Sequence, residues 1–248
     1  MYPRFVPTDS WTATRYKRRD KPDYSHQPNV ANPKQWQPDV YIAATALAKR
    51  FAAKRIIDIG CGNGSKTIEL AKACPTIGID FGSNFQRARE RAPELDWREH
   101  DLQSDVPLPL EAPELARSIV INADVIEHLP DPFKLLAMFQ RIHKQVELIL
   151  MSTPERHLTR GLRDDGPPSN AAHIQEWTAR EFGALLRHAG MPTHSLGLIR
   201  SHDHSDNVAT IFVAIASSGE RIREVDELLI DLEVPAAKSR LKSLLGRK

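Results

Sequence analysis

Two groups of residues in this chain have the types and spacing to do chemistry. The first is Ile56-Ile57-Asp58-Ile59-Gly60-Cys61-Gly62-Asn63-Gly64. Glycines at every second position after an apolar run let the backbone turn tightly and approach a ligand closely. Asp80 stands 22 residues after Asp58, at the end of a second apolar run, and Asp101 stands at the end of the third expected strand. A carboxylate at a strand end facing a glycine loop can accept both hydroxyls of a ribose, and the next one along can reach an adenine amino group. The second group is Asp124, Glu127 and His128, with His173 further on. Two carboxylates and two imidazoles can hold a divalent cation, and a neutral imidazole can instead take the proton of a hydroxyl.

Three ligands compete for the glycine loop. Lys66-Thr67 sits where a phosphate-binding P-loop has its lysine and hydroxyl, but Ser65 stands where that loop needs glycine. A dinucleotide fingerprint fails at the same residue, because its third glycine falls at Ser65. The ribose and adenine reading, with Asp58, Asp80 and Asp101, fits without repair. Cys61 has no base placed for it in the sequence and is expected to be a packed thiol. His202 and His204 have a spacing that suits a metal, but an exposed polar turn is the preferred reading.

These groups need a scaffold, and the hydrophobic pattern supplies one. A helix over about Pro38–Ala53 leads into a buried strand, Arg55–Ile59, and a helix near Ser65–Ala73 leads to a second strand, Thr76–Asp80. Ser83 is expected to cap a third helix ending before Pro93, ahead of strands over Leu95–His100 and Ser118–Asn122. Asp131-Pro132 supplies an N-cap and a first-turn proline for a helix with Leu135, Leu136, Phe139 and Ile142 on one face. A strand over Val146–Met151 precedes a long polar loop, Ser152–Trp177. Thr178 and Glu181 form a capping box, and two last strands span His194–Ile199 and Asn207–Ala216. An acidic amphipathic helix, Glu220–Glu233, and a basic tail, Lys238–Lys248, follow. Strands alternating with helices predict an α/β fold, a mostly parallel doubly wound sheet with helices on both faces.

Composition excludes several classes. Of 248 residues 41% are hydrophobic and 27% charged, as in an ordinary globular protein. The net charge of +2, from 34 Lys+Arg against 32 Asp+Glu, is too balanced to mark the chain as a nucleic-acid binder. The apolar runs are far shorter than the roughly 20 residues of a membrane span, and no secretory signal is visible. Two cysteines make no disulfide framework, so a cytoplasmic location is expected. Six of the 18 prolines and a basic run, Arg15–Arg19, fall in the first 40 residues, together with several aromatics. That segment reads as an extended arm packed on the domain, or as a lid.

From the glycine loop and its three aspartates, the chain resembles the class I S-adenosylmethionine-dependent methyltransferases over about residues 40–216, and their seven-stranded Rossmann-like sheet. The resemblance implies that Gly60, Gly62 and Gly64 pass under the methionyl part of the cofactor, with Asp58 just ahead of them. It places Asp80 on the ribose, Asp101 and the Leu102 backbone on the adenine, and Asn122 and Ala123 near the methionyl group. The stretch Asp124-Val125-Ile126-Glu127-His128 resembles an element of ubiquinone-biosynthesis O-methyltransferases. With His173 ahead of Glu176-Trp177-Thr178 it also resembles small-RNA 2′-O-methyltransferases, where the corresponding four residues bind a divalent metal. Asp124 stands where those patterns have Glu. Ser152–Arg156, Gly166–Asn170 and His173–Trp177 are similar to methyltransferases of glycan and polysaccharide pathways.

The expected function is therefore transfer of a methyl group from S-adenosylmethionine to a hydroxyl of a sugar or glycoconjugate acceptor. His128 and His173 are the candidate catalytic residues. Asp124, Glu127, His128 and His173 are the candidate ligands of a divalent metal, Mg²⁺ or Mn²⁺. The alternatives are a metal-free histidine base or a purely structural Glu-His pair. Other acceptors are an RNA 3′-terminal ribose or a small phenolic metabolite, and a non-catalytic cofactor-binding regulator is the rival from another class. The expected organisation is an arm over residues 1–40, the methyltransferase domain over 41–217 and a helical tail over 218–248.

Overall fold

A computed structural model describes residues 16–23, 37–191, 194–201 and 207–231, with Ile230 and Asp231 described in the backbone alone. The basic tail and the His202–His204 turn lie outside the described residues. The sequence folds into α1 (Pro38–Arg50), β1 (Arg55–Ile59), α2 (Ser65–Ala71), β2 (Thr76–Asp80), α3 (Gly82–Arg91), β3 (Asp96–Glu99), α4 (Ala112–Leu115) and β4 (Ser118–Ala123). It continues as a 3₁₀ turn (Ile126–His128), α5 (Pro132–Ile142), β5 (Leu148–Pro154), α6 (Arg156–Arg160), α7 (Ala179–His188), β6 (His194–Ile199), β7 (Thr210–Ile215) and α8 (Gly219–Asp231).

The strands form one seven-stranded sheet in the order β3-β2-β1-β4-β5-β7-β6. β1 to β5 run parallel, and β7 is antiparallel to both its neighbours. This is the doubly wound α/β fold that the alternation of strand and helix signals predicts. The chain crosses from β1 outward to β3 and then returns to place β4 on the other side of β1. That reversal opens a crevice above the carboxyl ends of β1 and β4, where open α/β sheets bind ligands.

Each face of the sheet has its own core, because alternate side chains of a strand point to opposite faces. Ile57 and Ile59 of β1 join Leu135, Leu136 and Phe139 of α5 and Phe182, Leu185 and Leu186 of α7. Ile56 packs on the other face with Val40, Ala44 and Leu47 of α1 and Val225 of α8. Asp58 shares that second face, so its carboxylate is carried beneath the sheet edge toward α1 and α2.

The caps follow the sequence at two helices and depart from it at a third. Asp131 accepts from the Phe133 N–H at the start of α5, and Thr178 and Glu181 close a reciprocal box at α7. Ser83 does not cap α3: the helix begins at Gly82, whose N–H goes to Glu99. The long loop is also partly ordered. β5 runs on to Pro154, and Glu155 caps the short helix α6 through the Leu158 N–H. The box of Glu111 and Glu114 that starts α4 was not singled out, since a four-residue helix leaves almost no periodic signal.

Trp97 of β3 lies against Gly78 of β2, where a Cβ would fall 2.2 Å from the indole ring, and it also abuts Gly64. The indole thus fills the space that two glycines leave and supports the loop from below. Gly78→Ala should lower folding stability by about 1–3 kcal/mol through overpacking, read from the urea midpoint. Adding Trp97→Leu should recover part of that loss. An unchanged midpoint in the single variant would show that the indole moves aside freely.

Candidate active site

The glycine loop is built by backbone conformations that L side chains rarely adopt. Gly60, Gly62 and Gly64 have φ of 77°, 60° and 76°. A Cβ on Gly60 would stand 2.5 Å from Val125, whereas one on Gly62 would meet nothing within 4 Å, so Gly62 is the open floor of the crevice. The loop is tied to β2 twice. The Gly60 N–H donates to the Ile79 carbonyl at 2.8 Å, and the Gly62 N–H donates to the Asp80 carboxylate at 2.7 Å. The other Asp80 oxygen accepts from the Phe81 N–H at 2.8 Å. Burial pushes the Asp80 carboxyl above its ordinary pKa, opposed by these two N–H groups and by the Asn84 side chain.

Asp58 lies below the loop and is completely buried. It accepts from Thr67 Oγ1 at 2.7 Å, with the Tyr41 hydroxyl 3.5 Å from both its oxygens. Burial raises its pKa to about 6. These partners belong to α1 and α2, so it stands as the support that joins β1 to the start of α2. Asp101 is exposed, and its Oδ1 accepts from the Gln103 N–H at 2.8 Å in a tight turn beside buried Leu102. At the end of β4, Asn122 donates to the Ile59 carbonyl at 2.9 Å and so ties β4 to β1 across the crevice floor. Its Oδ1 is buried without a hydrogen-bond partner among the described residues, next to Ala123. Cys61 is a buried thiol whose pKa burial pushes up, in keeping with a packing role.

Beyond β4, Asp124 turns the chain at a φ of 51°, a conformation Asp tolerates better than most residues. The 3₁₀ turn that follows brings Glu127 and His128 to the long loop. The Ile174 N–H donates to the Glu127 carbonyl at 2.7 Å, and His128 Nδ1 faces the Ala172 carbonyl at 2.9 Å. The His128 and His173 rings meet edge to face with centroids 4.7 Å apart. Ligand atoms of Glu127, His128 and His173 all lie within 4.8 Å of one another. Asp124 falls outside this group, since its carboxylate accepts from Gln37 Nε2 at 2.7 Å and Ser152 Oγ at 2.5 Å.

The electrostatics of the trio suit a cation. Glu127 is fully buried; Oε2 accepts from Thr153 at 3.0 Å and Oε1 has no partner among the described residues. Burial, and after it Asp124, raises the Glu127 carboxyl well above its ordinary pKa. Burial, then His173, lowers His128 to about 4, so it is neutral near pH 7. A neutral imidazole whose Nδ1–H faces a carbonyl keeps its lone pair on Nε2. His173 Nδ1 pairs with Glu176 Oε1 at 2.6 Å, and its Nε2 faces Asn170 Nδ2 at 2.9 Å. Glu176 and Asn170 have no assigned role in the sequence reading. Their only signal there is a position three residues to either side of His173.

Part of the arm crosses this loop. The Tyr16 hydroxyl accepts from the Glu176 N–H at 3.1 Å, and Arg156 stacks on the Tyr16 ring at 4.3 Å. Lys17, Arg19 and Asp23 donate backbone N–H groups to Asp165, Ile174 and Ala171. The guanidiniums of Arg18 and Arg19 donate to the carbonyls of Pro130 and Pro168.

The doubly wound sheet places this loop and these carboxylates at its switch point, the place where open α/β sheets bind ligands. The methyltransferase domain family matches residues 35–196, and the chain belongs to it. A Mycolicibacterium smegmatis protein named probable S-adenosylmethionine-dependent methyltransferase is 31% identical over 165 residues, 66% of this chain and 62% of the relative. The ubiquinone biosynthesis O-methyltransferase of Pasteurella multocida is 33% identical over 129 residues, 48% of this chain and 52% of that protein. The chain thus spans about half to three fifths of the length of these curated relatives. Among solved structures, the bacterial CtHen1-C methyltransferase domain has a TM-score of 0.52 at 20% identity, covering 72% of this chain and 97% of that one. Small RNA methyltransferase HEN1 has a TM-score of 0.55 at 16% identity, covering 79% of this chain and 27% of its own. Those likenesses show the fold.

Two outcomes follow for the cofactor side. Asp80→Ala should weaken S-adenosylmethionine binding by about 1.5–3 kcal/mol, because a charged acceptor is lost. Calorimetry on the purified protein reads this, and an unchanged dissociation constant would reduce Asp80 to a turn residue. The second concerns pH. The folded pKa of Asp58, about 6, exceeds its ordinary 3.8. The folded state therefore holds the Asp58 proton more tightly, and this contribution to stability fades as pH rises through 6. Asp58→Asn cannot ionise, so it should gain on the wild type by up to about 2–3 kcal/mol between pH 4 and 7. Parallel denaturation curves at the two pH values would contradict this.

Proposed function

We propose that this chain transfers a methyl group from S-adenosylmethionine to a hydroxyl of a sugar or glycoconjugate. In this reading residues 41–217 are the catalytic domain, 1–40 an arm and 218–248 a tail. Membership of the methyltransferase family and the S-adenosylmethionine-dependent relatives support the donor. The ubiquinone biosynthesis relatives support O-methylation. The sugar acceptor rests on the resemblance over Ser152–Arg156, Gly166–Asn170 and His173–Trp177 to glycan-pathway methyltransferases. Against an RNA acceptor stand the net charge of +2 and the capture of Arg18 and Arg19 by backbone carbonyls. Among the described residues no helix is long and apolar enough to cross a membrane.

The cofactor would lie across the carboxyl ends of β2, β1 and β4. Asp80 takes the ribose hydroxyls, Asp101 and the Leu102 backbone the adenine, and Gly60, Gly62 and Gly64 run beneath the methionyl chain. Asn122 and Ala123 border that chain, and Asp58 holds the loop in place from below. The acceptor oxygen attacks the methyl carbon in line with the sulfonium, the carbon–sulfur bond breaks, and S-adenosylhomocysteine leaves. The sulfonium already activates the methyl group, so the protein supplies position and a destination for the hydroxyl proton. Nε2 of His128 can receive it; Nε2 of His173 can do so only once the Asn170 amide that faces it moves away, and Glu176 holds the His173 ring in orientation.

The observation that carries this reading of the acceptor side is the convergence of Glu127, His128 and His173, with Glu127 Oε1 buried and without a hydrogen-bond partner among the described residues. A partnerless buried carboxylate oxygen beside two imidazoles is a donor set that fits a divalent cation. Such a cation would supply a positive charge that binds adjacent hydroxyls and lowers the pKa of one. The two imidazoles favour Mn²⁺ or another transition ion over Mg²⁺.

Treatment with chelator should abolish turnover and leave cofactor binding nearly intact, and Mn²⁺ should restore it. His173→Ala should raise the metal concentration required, and Asp124→Asn should leave that concentration nearly unchanged. Full activity in chelator would sink the metal and leave a histidine base. An acid limb governed by His128 would then fall near pH 4. Methylation of a short RNA in preference to glycans, with steep salt dependence, would overturn the sugar acceptor.

A further inference from the structure

Every polar atom of Glu176 has a partner, and the reaction described above uses only the bond to His173. The Glu176 N–H donates to the Tyr16 hydroxyl at 3.1 Å, and its carbonyl accepts from Arg156 Nη1 at 3.0 Å. Oε1 meets His173 Nδ1 at 2.6 Å, and Oε2 accepts from Arg160 Nη1 at 3.4 Å. The two arginines stand four residues apart on α6 and so share one face of that short helix. Arg160 also donates through Nη2 to the Pro167 carbonyl and pairs with Asp164, both at 2.6 Å. Asp164 in turn accepts from the Gly166 N–H at 2.9 Å. The guanidinium is thus held on its far side, and the side chains of Arg160 and Glu176 are only 12% and 4% exposed.

We propose that Arg160 is a positioning residue of the methyl-transfer site: it holds the Glu176 carboxylate against His173, so that this imidazole carries its proton on Nδ1 and its lone pair on Nε2. The inference rests on the reading of His173 as an acceptor-side group. A hydroxyl proton and a cation need that lone pair alike, once the Asn170 amide moves away. The first support is the partner on the other ring nitrogen. Asn170 Oδ1 accepts from the Ala172 N–H at 3.0 Å, which turns the Nδ2 end of the amide toward His173 Nε2. An amide nitrogen donates and does not accept, so Nε2 is the acceptor. A carboxylate on Nδ1 and an amide N–H on Nε2 specify the same tautomer from two edges of the ring.

The second support is the way the carboxylate is shared. With Arg160 on Oε2, Oε1 is left to the ring, and Tyr16 and Arg156 fix the backbone from which the side chain extends. The third is the choice of residue types. A brace for the loop alone is served as well by apolar packing, because burying an ion pair costs desolvation. A carboxylate behind an imidazole is the arrangement that fixes a histidine's tautomer and strengthens it as a ligand. His128 reaches the same end by another route, since its Nδ1 faces the Ala172 carbonyl at 2.9 Å. Both imidazoles thereby keep the lone pair on Nε2, one set by main chain and the other by the Arg160–Glu176 pair.

The full chain carrying ¹⁵N-labelled histidine reads the tautomer directly, through long-range proton–nitrogen correlations at about pH 8, where an ordinary imidazole is neutral. His173→Asn identifies the signal by its loss. The wild type should show a protonated Nδ1 and an unprotonated Nε2 at residue 173. Arg160→Met should shift that signal toward an average of the two tautomers. Arg160→Lys, which keeps the cation without the planar fork, should restore part of the difference. Mn²⁺ alone, titrated by calorimetry, reads the consequence. Glu176→Ala should weaken its binding roughly 10- to 100-fold, as loss of a ligand's outer partner does, and Arg160→Met should weaken it by less. Thermal melts identify any variant that fails to fold, in which case the wild-type tautomer and Arg160→Lys still decide. A wild-type His173 protonated on Nε2, or a tautomer unchanged in Arg160→Met, would overturn the inference. A wild type that takes up no Mn²⁺ would sink the metal reading alone, and the nitrogen spectra would still decide.

Discussion

At the carboxyl end of β1 the backbone must leave the sheet without filling the space above it. The whole site depends on how that conflict is resolved. The chain turns through glycines at positive φ, and the loop is then held by groups at its edges. Asp80 takes the Gly62 N–H from the β2 side, and Asn122 ties the end of β4 to the Ile59 carbonyl. With these bonds the switch point of the sheet becomes a fixed open floor. Trp97 below and Val125 beside the loop occupy the volume that side chains at Gly64 and Gly60 would need.

Around this floor the fold gathers carboxylates that are wholly or largely withdrawn from solvent. Asp58, Asp80, Asp124 and Glu127 are all pushed by burial toward the protonated form. The opposition differs from one to the next, and that difference separates their roles. Asp80 has backbone N–H groups, Asp58 has Thr67, and Asp124 has Ser152, Gln37 and the nearby Lys66 charge. Glu127 has Thr153 on one oxygen and nothing among the described residues on the other. Where partners are complete, a carboxylate shapes the protein. Where they are incomplete, burial favours the neutral carboxyl, and only an added positive charge would favour its anion.

The region around the two histidines is held less by the sheet than by stretches of backbone lying across one another. Glu127 receives the Ile174 N–H, and His128 faces the Ala172 carbonyl. The segment from Tyr16 to Asp23 then spans the same loop through main-chain bonds. Tyr16 ties this layer to Arg156 and to the backbone of Glu176, the carboxylate partner of His173. A loop that would otherwise be free to vary is thereby braced on two sides, and the ring orientations of both histidines follow from it.

Much of this was legible in the sequence because it is local or periodic. The alternation of buried strands with amphipathic helices, the caps at Asp131 and Thr178, and the three glycines after an apolar run are patterns within a few residues. They suffice for the fold class and the loop. The placement of Asp80 at the end of β2 and of Asp101 just past β3 was legible for a related reason, since a strand end in a parallel sheet has a known edge to face. Tertiary structure decided which carboxylate meets which partner. Strand alternation turned Asp58 down to Thr67 instead of up into the crevice. A positive φ at Asp124 sent its side chain to Gln37, 87 residues away, and not to the histidines. Lys66 and Gln37, joined at 2.8 Å, are ordinary residues in their own neighbourhoods, and no spacing marks them as partners. Hydrogen-bond satisfaction inside a packed core depends on distances across the fold, and those exist only once the sheet has closed.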